Sequence, residues 1–332
     1  MENLFLSSRS VNYRNDRLQL CMLNLKTKPF MKWAGGKTQL LDKLIDLFPP
    51  EIQSGEIKKY AEPFIGGGAL FFYIAQSFLS IEKFFIADVN EELVLVYKAI
   101  QRDVESVISL LATLEKNYHL LNRNEQKNFF YKERDNFNAQ RIHIDFNNFN
   151  DYWLERASTI IFLNHTCFNG LFRVNSKGEF NVPFGNYENP KICDAENLRG
   201  VSALLQKTEI ECADFSFNDK FIDRETFVYF DPPYRPISKT ASFTSYSKYI
   251  FGDDAQKKLS RYYKTLSEKG AKLMLSNSDP KNKNPTDSFF EDLYSEFYIQ
   301  RVDASRMINS DKNGRGKIKE LVIMNYAKDN FV

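Results

Sequence analysis

The chain has 332 residues, which is enough to bury a complete hydrophobic core and to carry a second lobe. Its 45 Lys and Arg residues against 43 Asp and Glu residues leave a net charge of +2, so no strong overall field attracts it to a polyanion. Hydrophobic residues make up 43% of the chain, and no apolar run approaches the length of a membrane span. The composition therefore excludes a mainly disordered chain and an integral membrane protein.

The four cysteines are scattered and form no CxxC pair, which argues against a zinc site and against a disulfide framework. We expect reduced thiols in a cytoplasmic protein without a bound metal. Residues 1–28 contain no apolar core like that of a signal peptide, and we expect them to form a loosely ordered extension.

Short apolar runs alternate with helical patterns along most of the chain, which is typical of an α/β fold with a doubly wound parallel sheet. The predicted strands are Lys59–Pro63, Lys83–Asp88, Thr208–Ala213, Phe227–Asp231, Lys272–Ser276, Tyr298–Val302 and Glu320–Tyr326. The predicted helices are Lys37–Phe48, Ala69–Phe78, Glu91–Ile100, Ala255–Lys269 and Ser288–Glu296. Seven strands are enough for one such sheet.

The alternation stops between residues 103 and 206, a segment rich in Asn, Phe and Tyr. Because connections between strands and helices are usually short, this segment indicates an inserted lobe. Within it we predict a helix over Asp151–Asn164 and a β-hairpin over Phe172–Pro183. The predicted division is a catalytic domain over 29–102 and 207–332, with the lobe over 103–206.

A segment before the first predicted helix reads Phe30-Met31-Lys32-Trp33-Ala34-Gly35-Gly36-Lys37-Thr38. It ends like a phosphate-binding loop, but that loop needs Gly where this chain has Met31, so a nucleoside triphosphatase is disfavoured. Trp33 offers a flat apolar face, and Lys37 offers a cation. Together they suit an amino-acid group that carries a carboxylate.

The first predicted strand runs into Glu62-Pro63-Phe64-Ile65-Gly66-Gly67-Gly68, where glycines allow a ligand to approach the backbone. The next strand ends in Asp88, in a position to accept from ribose hydroxyls. The pairing indicates a cofactor that contains a nucleoside. Asp88 could instead cap the helix that begins near Glu91.

The fourth predicted strand is followed by Asp231-Pro232-Pro233-Tyr234, at the edge where open α/β sheets bind ligands. The prolines stiffen the loop and leave the Pro232 carbonyl free to accept a hydrogen bond. We expect Asp231 on a solvent-facing loop. The Asp231 carboxylate, the Pro232 carbonyl and the Tyr234 ring suit an exocyclic amine on a flat base, although a rigid structural turn is the alternative.

The order of these three motifs resembles that of N6-adenine DNA methyltransferases of the Dam type, from about Pro29 to Tyr326. The resemblance implies a Rossmann-like methyltransferase sheet with an inserted, mainly helical target-recognition lobe. It also implies that S-adenosyl-L-methionine is the cofactor and that its contacts include Trp33, Lys37, Gly66, Gly68, Asp88 and Asp231, with Phe64, Asp214 and Phe215 around its adenine. The stretch Ser242–Tyr246 resembles the mobile lid of that family.

The inserted lobe contains a second match. Phe168-Asn169-Gly170-Leu171-Phe172-Arg173 and the following Gly178–Gly185 resemble the DNA-reading hairpin of family members that methylate adenine in GATC. The implied DNA-binding residues are Phe168, Asn169, Leu171, Arg173 and Pro183. Arg173 can bind a guanine edge, and Phe168 can enter the gap that a displaced base leaves.

The sequence therefore predicts a site-specific adenine methyltransferase with Asp231, Pro232 and Tyr234 as catalytic residues and double-stranded DNA as its partner. Functional pairing with a restriction endonuclease is compatible with it, as is a monomer or weak dimer. A methyltransferase for amino groups of RNA or protein is one alternative. A DNA-binding module without catalysis is another.

Overall fold

The computed structural model describes residues 27–175, 177–216, 220–235, 251–305 and 317–327. The predicted N-terminal extension lies outside the described residues except for its last two positions, and the predicted lid Ser242–Tyr246 lies wholly outside them.

Seven strands form one sheet in the order β3-β2-β1-β4-β5-β7-β6. They are β1 Lys59–Glu62, β2 Lys83–Asp88, β3 Thr208–Cys212, β4 Thr226–Phe230, β5 Lys272–Ser278, β6 Tyr298–Ser305 and β7 Lys317–Met324. The five strands from β3 to β5 are parallel, as predicted, but β7 lies between β5 and β6 and is antiparallel to both. The sheet is therefore mixed and not parallel throughout, a detail that hydrophobic patterning does not report because it carries no information on strand direction.

The side chains of the central strands alternate between two hydrophobic cores, one on each face of the sheet. Along β4, Phe227 and Tyr229 belong to one core, and Val228 and Phe230 belong to the other. All five β4 residues are buried, as is typical of a strand covered by helices on both faces. The site-bearing loops therefore extend from a rigid base.

The helices cover this sheet and form most of the inserted segment. They are α1 Leu41–Ile45, α2 Pro50–Ser54, α3 Ala69–Ser77, α4 Glu91–Arg102, α5 Val104–His119, α6 Arg123–Gln140, α7 Asp151–Thr166, α8 Ala195–Leu205, α9 Asp253–Glu268 and α10 Phe289–Leu293. The predicted helix Lys37–Phe48 is instead a 3-10 turn over Lys37–Gln39 followed by α1. The predicted Ser288–Glu296 helix is shortened to α10. In both places the apolar spacing extends beyond the hydrogen-bonded helix.

The inserted segment is mainly helical, but the sequence indicated only one of its helices, α7. Helix α5 packs against α7, and α7 also packs against α4, so the segment shares a core with one face of the sheet. Helix α8 packs against α4 and β3 although it lies before the predicted boundary at residue 206. The division into two domains stays a prediction.

The predicted hairpin over Phe172–Pro183 is a compact loop with a single antiparallel bridge, Val174 to Phe180. Its turn is closed by the Asn175 amide N–H, which donates to the Glu179 carbonyl at 2.9 Å. The alternation of side chains along it is strict enough to bury Phe172, Phe180 and Val182.

Candidate active site and DNA interface

The predicted motifs meet at the carboxyl edge of strands β1, β2, β4 and β5. Parallel strands end at the same edge, so residues far apart in sequence become neighbours there. Glu62 ends β1, Asp88 ends β2, Asp231 follows β4, and Ser276 lies near the end of β5.

The glycine turn after β1 is built on positive backbone angles and on close packing. Gly66 has φ +45°, and a Cβ there would lie 2.8 Å from Cδ1 of Trp33. Gly68 has φ +71°, and a Cβ there would lie 2.7 Å from the Tyr97 hydroxyl. Both positions therefore require glycine. The Trp33 ring, predicted to bind cofactor, is packed beside this turn.

Asp88 joins the glycine turn to the end of β2. Its Oδ2 accepts from the Gly66 amide at 3.2 Å, and its Oδ1 accepts from the Asn90 amide at 2.9 Å. Desolvation raises the pKa of Asp88 to about 6 even though these backbone hydrogen bonds lower it. Each carboxylate oxygen retains a lone pair for a further donor.

The alternative role of Asp88, capping helix α4, belongs to a different residue. The Asn90 side chain accepts from the amides of Glu92 at 3.1 Å and Leu93 at 3.2 Å, so Asn90 is the N-cap. Asp88 makes neither of those bonds, and its geometry serves the turn instead.

Phe64 and Phe215, expected around the cofactor adenine, are brought together. Their rings stack with centroids 5.5 Å apart and an interplanar angle of 28°. Asp214 is exposed and accepts from Lys258 at 3.2 Å. In this arrangement the two rings contact each other directly, and Phe215 is buried.

Asp231 accepts hydrogen bonds from two side chains. Lys37 Nζ lies 2.6 Å from Oδ1 and 2.8 Å from Oδ2, and Ser276 Oγ donates to Oδ1 at 3.2 Å. The side chains of Lys37 and Asp231 are 4% and 19% exposed, so the expectation of a solvent-facing Asp231 is wrong. Burial raises the pKa of Asp231, against the lowering effect of Lys37.

Lys37, which was predicted to face a ligand carboxylate, also makes several contacts with the protein. Its third donor goes to the Gly35 carbonyl at 3.0 Å, and its Nζ lies 4.8 Å from the centre of the Tyr234 ring. An ammonium has three donors, so these contacts use all of them. Lys37 therefore orients Asp231 and packs beside Tyr234.

The proline loop is anchored at Pro233 and at Arg235, the residue that follows Tyr234. The Gln256 side chain donates to the Pro233 carbonyl at 3.2 Å, and Arg235 forms ion pairs with Asp253 at 2.7 Å and Asp287 at 2.9 Å. Within the described part of the chain no donor reaches the Pro232 carbonyl. That carbonyl is thus available as a fixed acceptor next to Asp231.

Sequence reasoning missed Glu62, the carboxyl at the end of β1. It is 3% exposed, and Oε2 accepts from the Tyr60 hydroxyl at 2.7 Å. Burial raises the pKa of Glu62 to about 8, with a further upward contribution from Asp231. An acidic residue that ends a buried strand directly before a glycine turn was the available signal.

The buried Glu62 predicts a pH-dependent stability. The pKa of Glu62 is about 8 in the folded protein and 4.5 in an unfolded chain. Between these two pH values the folded protein therefore binds a proton that the unfolded chain has lost. The free energy of unfolding should therefore fall as the pH rises through this window. Between about pH 6 and pH 8 the wild-type protein should lose roughly 2 to 3 kcal/mol more than Glu62→Gln. Urea unfolding at both pH values checks this, and parallel losses in the two proteins would contradict it.

The predicted DNA-binding residues lie on one loop after α7. Phe168 is 51% exposed, Asn169 and Pro183 are also exposed, and Leu171 is half-buried. The Phe168 amide donates to the Pro183 carbonyl at 2.8 Å, which joins the two ends of the loop. Asn169 has φ +56°, an unfavourable angle for a residue with a side chain, so the loop holds it in a fixed orientation.

Arg173 is exposed, and among the described residues its side chain is supported by Asn181. Its Nε donates to the Asn181 side chain at 2.8 Å, and the Asn181 amide donates to the Arg173 carbonyl at 3.2 Å. The two terminal nitrogens of the guanidinium are the pair that can bind an acceptor edge bidentately.

The loop predicted to bind DNA is joined to the Trp33 segment. Asn164 is fully buried, accepts from the Lys32 amide at 2.9 Å, and donates at 2.9 Å to the carbonyls of Lys32 and Gly170. Trp33 also stacks on Phe172 at 5.8 Å. The base of the loop that is predicted to bind DNA is therefore fixed to the Trp33 segment.

Within the described residues no group of three or more His, Cys, Asp or Glu side chains could hold a metal ion. The helices of that part of the chain include none with the length and apolar character needed to cross a membrane.

The mixed seven-stranded sheet, with acids at the carboxyl edge and a glycine turn between them, is an α/β methyltransferase fold. The family model described as D12 class N6 adenine-specific DNA methyltransferase matches residues 33–308. The chain belongs to this family of enzymes.

Curated relatives agree with the family. Type II methyltransferase M.MjaIII from Methanocaldococcus jannaschii is 49% identical over 304 residues, covering 91% of this chain and 100% of that protein. Type II methyltransferase M1.LlaDCHI from Lactococcus lactis subsp. cremoris is 37% identical, covering 93% and 99%. A DNA adenine methylase from Haemophilus influenzae is 31% identical, covering 90% and 93%.

Proposed function

We propose that this enzyme transfers the methyl group of S-adenosylmethionine to N6 of an adenine that has been flipped out of duplex DNA, within the sequence GATC. The observation that carries the proposal is the pair of fixed acceptors at Asp231 and Pro232. The mode of cofactor binding, the flipping of the base and the target sequence all belong to the proposal.

The pocket residues fit a cofactor with a nucleoside. Gly66 and Gly68 leave the backbone of the turn open to close approach, and Asp88 has lone pairs for the ribose hydroxyls. Phe64 and Phe215 supply an apolar surface for the base. When bound, S-adenosylmethionine supplies a methyl group on an already activated sulfonium.

The acceptor pair suits the adenine amine. Asp231 Oδ1 already accepts from Lys37 and Ser276, whereas Oδ2 accepts only from Lys37 among the described residues. Oδ2 and the Pro232 carbonyl can therefore each accept a hydrogen bond from one N–H of the amine, which loses one proton after the methyl transfer. Holding both N–H groups favours a pyramidal nitrogen whose lone pair points at the methyl group, so catalysis rests on positioning and electrostatics.

The aromatic residues support access to the base. The Tyr234 ring lies beside Lys37, and its hydroxyl donates to Glu320, so the ring is fixed as a stacking surface. Phe168 is exposed on the recognition loop and can fill the space that the flipped base leaves in the duplex. A base inside the duplex could not reach Asp231.

The family match favours DNA over RNA or protein as the substrate, and the intact acceptor pair favours catalysis over binding alone. The names of two relatives, both type II methyltransferases, support functional pairing with a restriction endonuclease. A monomer or weak dimer, and a recognition domain over 103–206, stay predictions.

The direct test uses purified enzyme, S-adenosylmethionine with a labelled methyl group, and a short duplex with one GATC site. Nucleoside analysis should find the label in N6-methyladenine. A duplex whose GATC adenines already carry N6-methyl groups is the matched control and should take up no label. Label in cytosine, or none in either duplex, would overturn the proposal.

Asp88 allows a separate test of the cofactor site. Asp88→Asn should weaken S-adenosylmethionine binding about tenfold to a hundredfold, because a charged acceptor for the ribose is lost. DNA affinity should change little. Asn90→Ala is the matched control, since it removes the helix cap and should lower stability without this loss of affinity. Calorimetric titration measures both, and unchanged affinity in Asp88→Asn would exclude the role in cofactor binding.

A further inference from the structure

A second buried carboxyl lies beside the catalytic acid, and no step described above uses it. Glu62 is 3% exposed and ends the strand next to β4, which leads into Asp231. Its Oε2 accepts from the Tyr60 hydroxyl at 2.7 Å, and the Phe71 amide of α3 also donates to it. Glu62 also begins the stretch that continues into the glycine turn.

Lys37, Asp231 and Glu62 form a cluster of one cation and two carboxyl groups, so its charges do not balance if both carboxyls are ionised. Lys37 is the cation of the cluster, and its three donors go to the two oxygens of Asp231 and to the Gly35 carbonyl. Asp231 is thereby neutralised, but no ammonium or guanidinium contacts Glu62 within the described residues. An ionised Glu62 would be a buried and unpaired charge, which is costly.

The other groups that face Glu62 cannot replace a cation. They are the hydroxyls of Tyr60, Tyr97 and Tyr229, and burial raises the pKa of each well above its ordinary value, so all three are neutral. Desolvation accordingly raises the pKa of Glu62 to about 8, and the carboxyl is mostly protonated at neutral pH.

The proposed cofactor would change this balance. The sulfonium of S-adenosylmethionine is a permanent positive charge, whereas the thioether of the product S-adenosylhomocysteine is neutral. Both ligands carry the same nucleoside, amine and carboxylate. A pocket residue that is negatively charged when the sulfonium is bound, and neutral when the thioether is bound, would therefore favour the substrate over the product.

We propose that Glu62 is a charge-responsive specificity residue that ionises when the sulfonium cofactor binds and takes up a proton again beside the thioether product. On binding, the Glu62 O–H bond breaks, the proton goes to solvent, and the carboxylate faces the sulfonium. After methyl transfer the carboxylate regains a proton from solvent. This inference rests on the proposed function, because it requires S-adenosylmethionine in this pocket.

Calorimetry in two buffers that differ in ionisation enthalpy counts the protons released on binding. At about pH 7 the wild-type enzyme should release up to about 0.9 more of a proton with S-adenosylmethionine than with S-adenosylhomocysteine, which is the protonated fraction of a group with a pKa of about 8. Both ligands carry the same amine, so its contribution cancels when the proton count for one ligand is subtracted from the count for the other.

The variant Glu62→Gln keeps an acceptor for Tyr60 but cannot ionise. It should give equal proton counts for the two ligands, and its preference for S-adenosylmethionine over S-adenosylhomocysteine should fall about tenfold. The matched control is Glu82→Gln, which removes an exposed carboxylate directly before the first residue of β2, at the edge of the sheet far from Asp88. It should behave like the wild type.

A second measurement needs no variant. In the wild-type enzyme the affinity for S-adenosylmethionine, divided by that for S-adenosylhomocysteine, should rise about tenfold from pH 6.5 to pH 8 and then level off. Raising the pH favours the binding that releases a proton only while Glu62 of the unliganded enzyme is still protonated. Equal proton counts, or a ratio that does not change with pH, would overturn this inference alone. If S-adenosylmethionine did not bind at all, the proposed function would fail and this inference with it.

Discussion

Replacing Asp231 by Ala should reduce methyl transfer on the order of a hundredfold or more, because the variant loses one of two preorganised acceptors for the amine. The measurement is the single-turnover rate with saturating cofactor and duplex. Asp231→Asn keeps one carbonyl oxygen and should fall between Asp231→Ala and the wild type.

The structure adds a stability control to this experiment. Lys37 is 4% exposed and pairs with Asp231, so the Ala variant leaves a buried ammonium without its partner. Its free energy of unfolding should fall, and the rate must be measured where the variant is fully folded. Ser276→Ala removes the hydrogen bond to Oδ1 and the one between Ser276 and the buried Tyr229 hydroxyl, so its folding must be checked as well. Its effect on the rate should be much smaller, because Lys37 still holds both oxygens of Asp231. An Asp231→Ala variant within a few-fold of the wild-type rate would contradict the assignment.

Replacing Arg173 by Ala should relax the preference for guanine in the target by about tenfold to a hundredfold. The terminal nitrogens of Arg173 can bind O6 and N7 of guanine bidentately, and such a pair is worth roughly 1 to 3 kcal/mol of discrimination. The measurement compares kcat/KM on GATC duplexes and on duplexes with one substituted guanine.

Two further variants separate a base contact from a phosphate contact. Arg173→Lys keeps the charge but not the bidentate fork, so it should restore general DNA affinity without restoring the preference for guanine. Asn181→Ala removes the support of Nε and should reduce discrimination less than Arg173→Ala. If Arg173→Ala lowers activity equally on all sequences, and Lys restores it, Arg173 binds phosphate.

The central sheet could be predicted from the sequence because its strands are short apolar runs between helical patterns. Residues Phe227–Phe230 form such a run, and the structure buries every one of them. The reversed direction of β7 was not predictable, since an apolar run looks the same in either direction. Helix α6 was missed because its sequence is mostly polar and buries only Gln126, Phe130 and Phe137.

Residues of the site could be predicted where a motif carried them, but their partners could not. Lys37 and Asp231 are 194 positions apart, and only the fold shows that the lysine binds the acid. Asn90 rather than Asp88 caps α4, a choice that depends on backbone geometry. A local pattern marks Glu62 as an acid that ends a buried strand, but only the fold shows that it lies beside an acid that is already paired.

The most direct test of the account is the methylation state of DNA from cells that express this enzyme. An endonuclease that cuts GATC and is blocked by adenine methylation should leave that DNA intact, whereas an endonuclease that cuts GATC regardless of methylation should digest it fully. DNA from cells that express Asp231→Ala should be cut by both. Full cutting of the wild-type DNA by the blocked enzyme, in cells that contain folded protein, would contradict the proposed target.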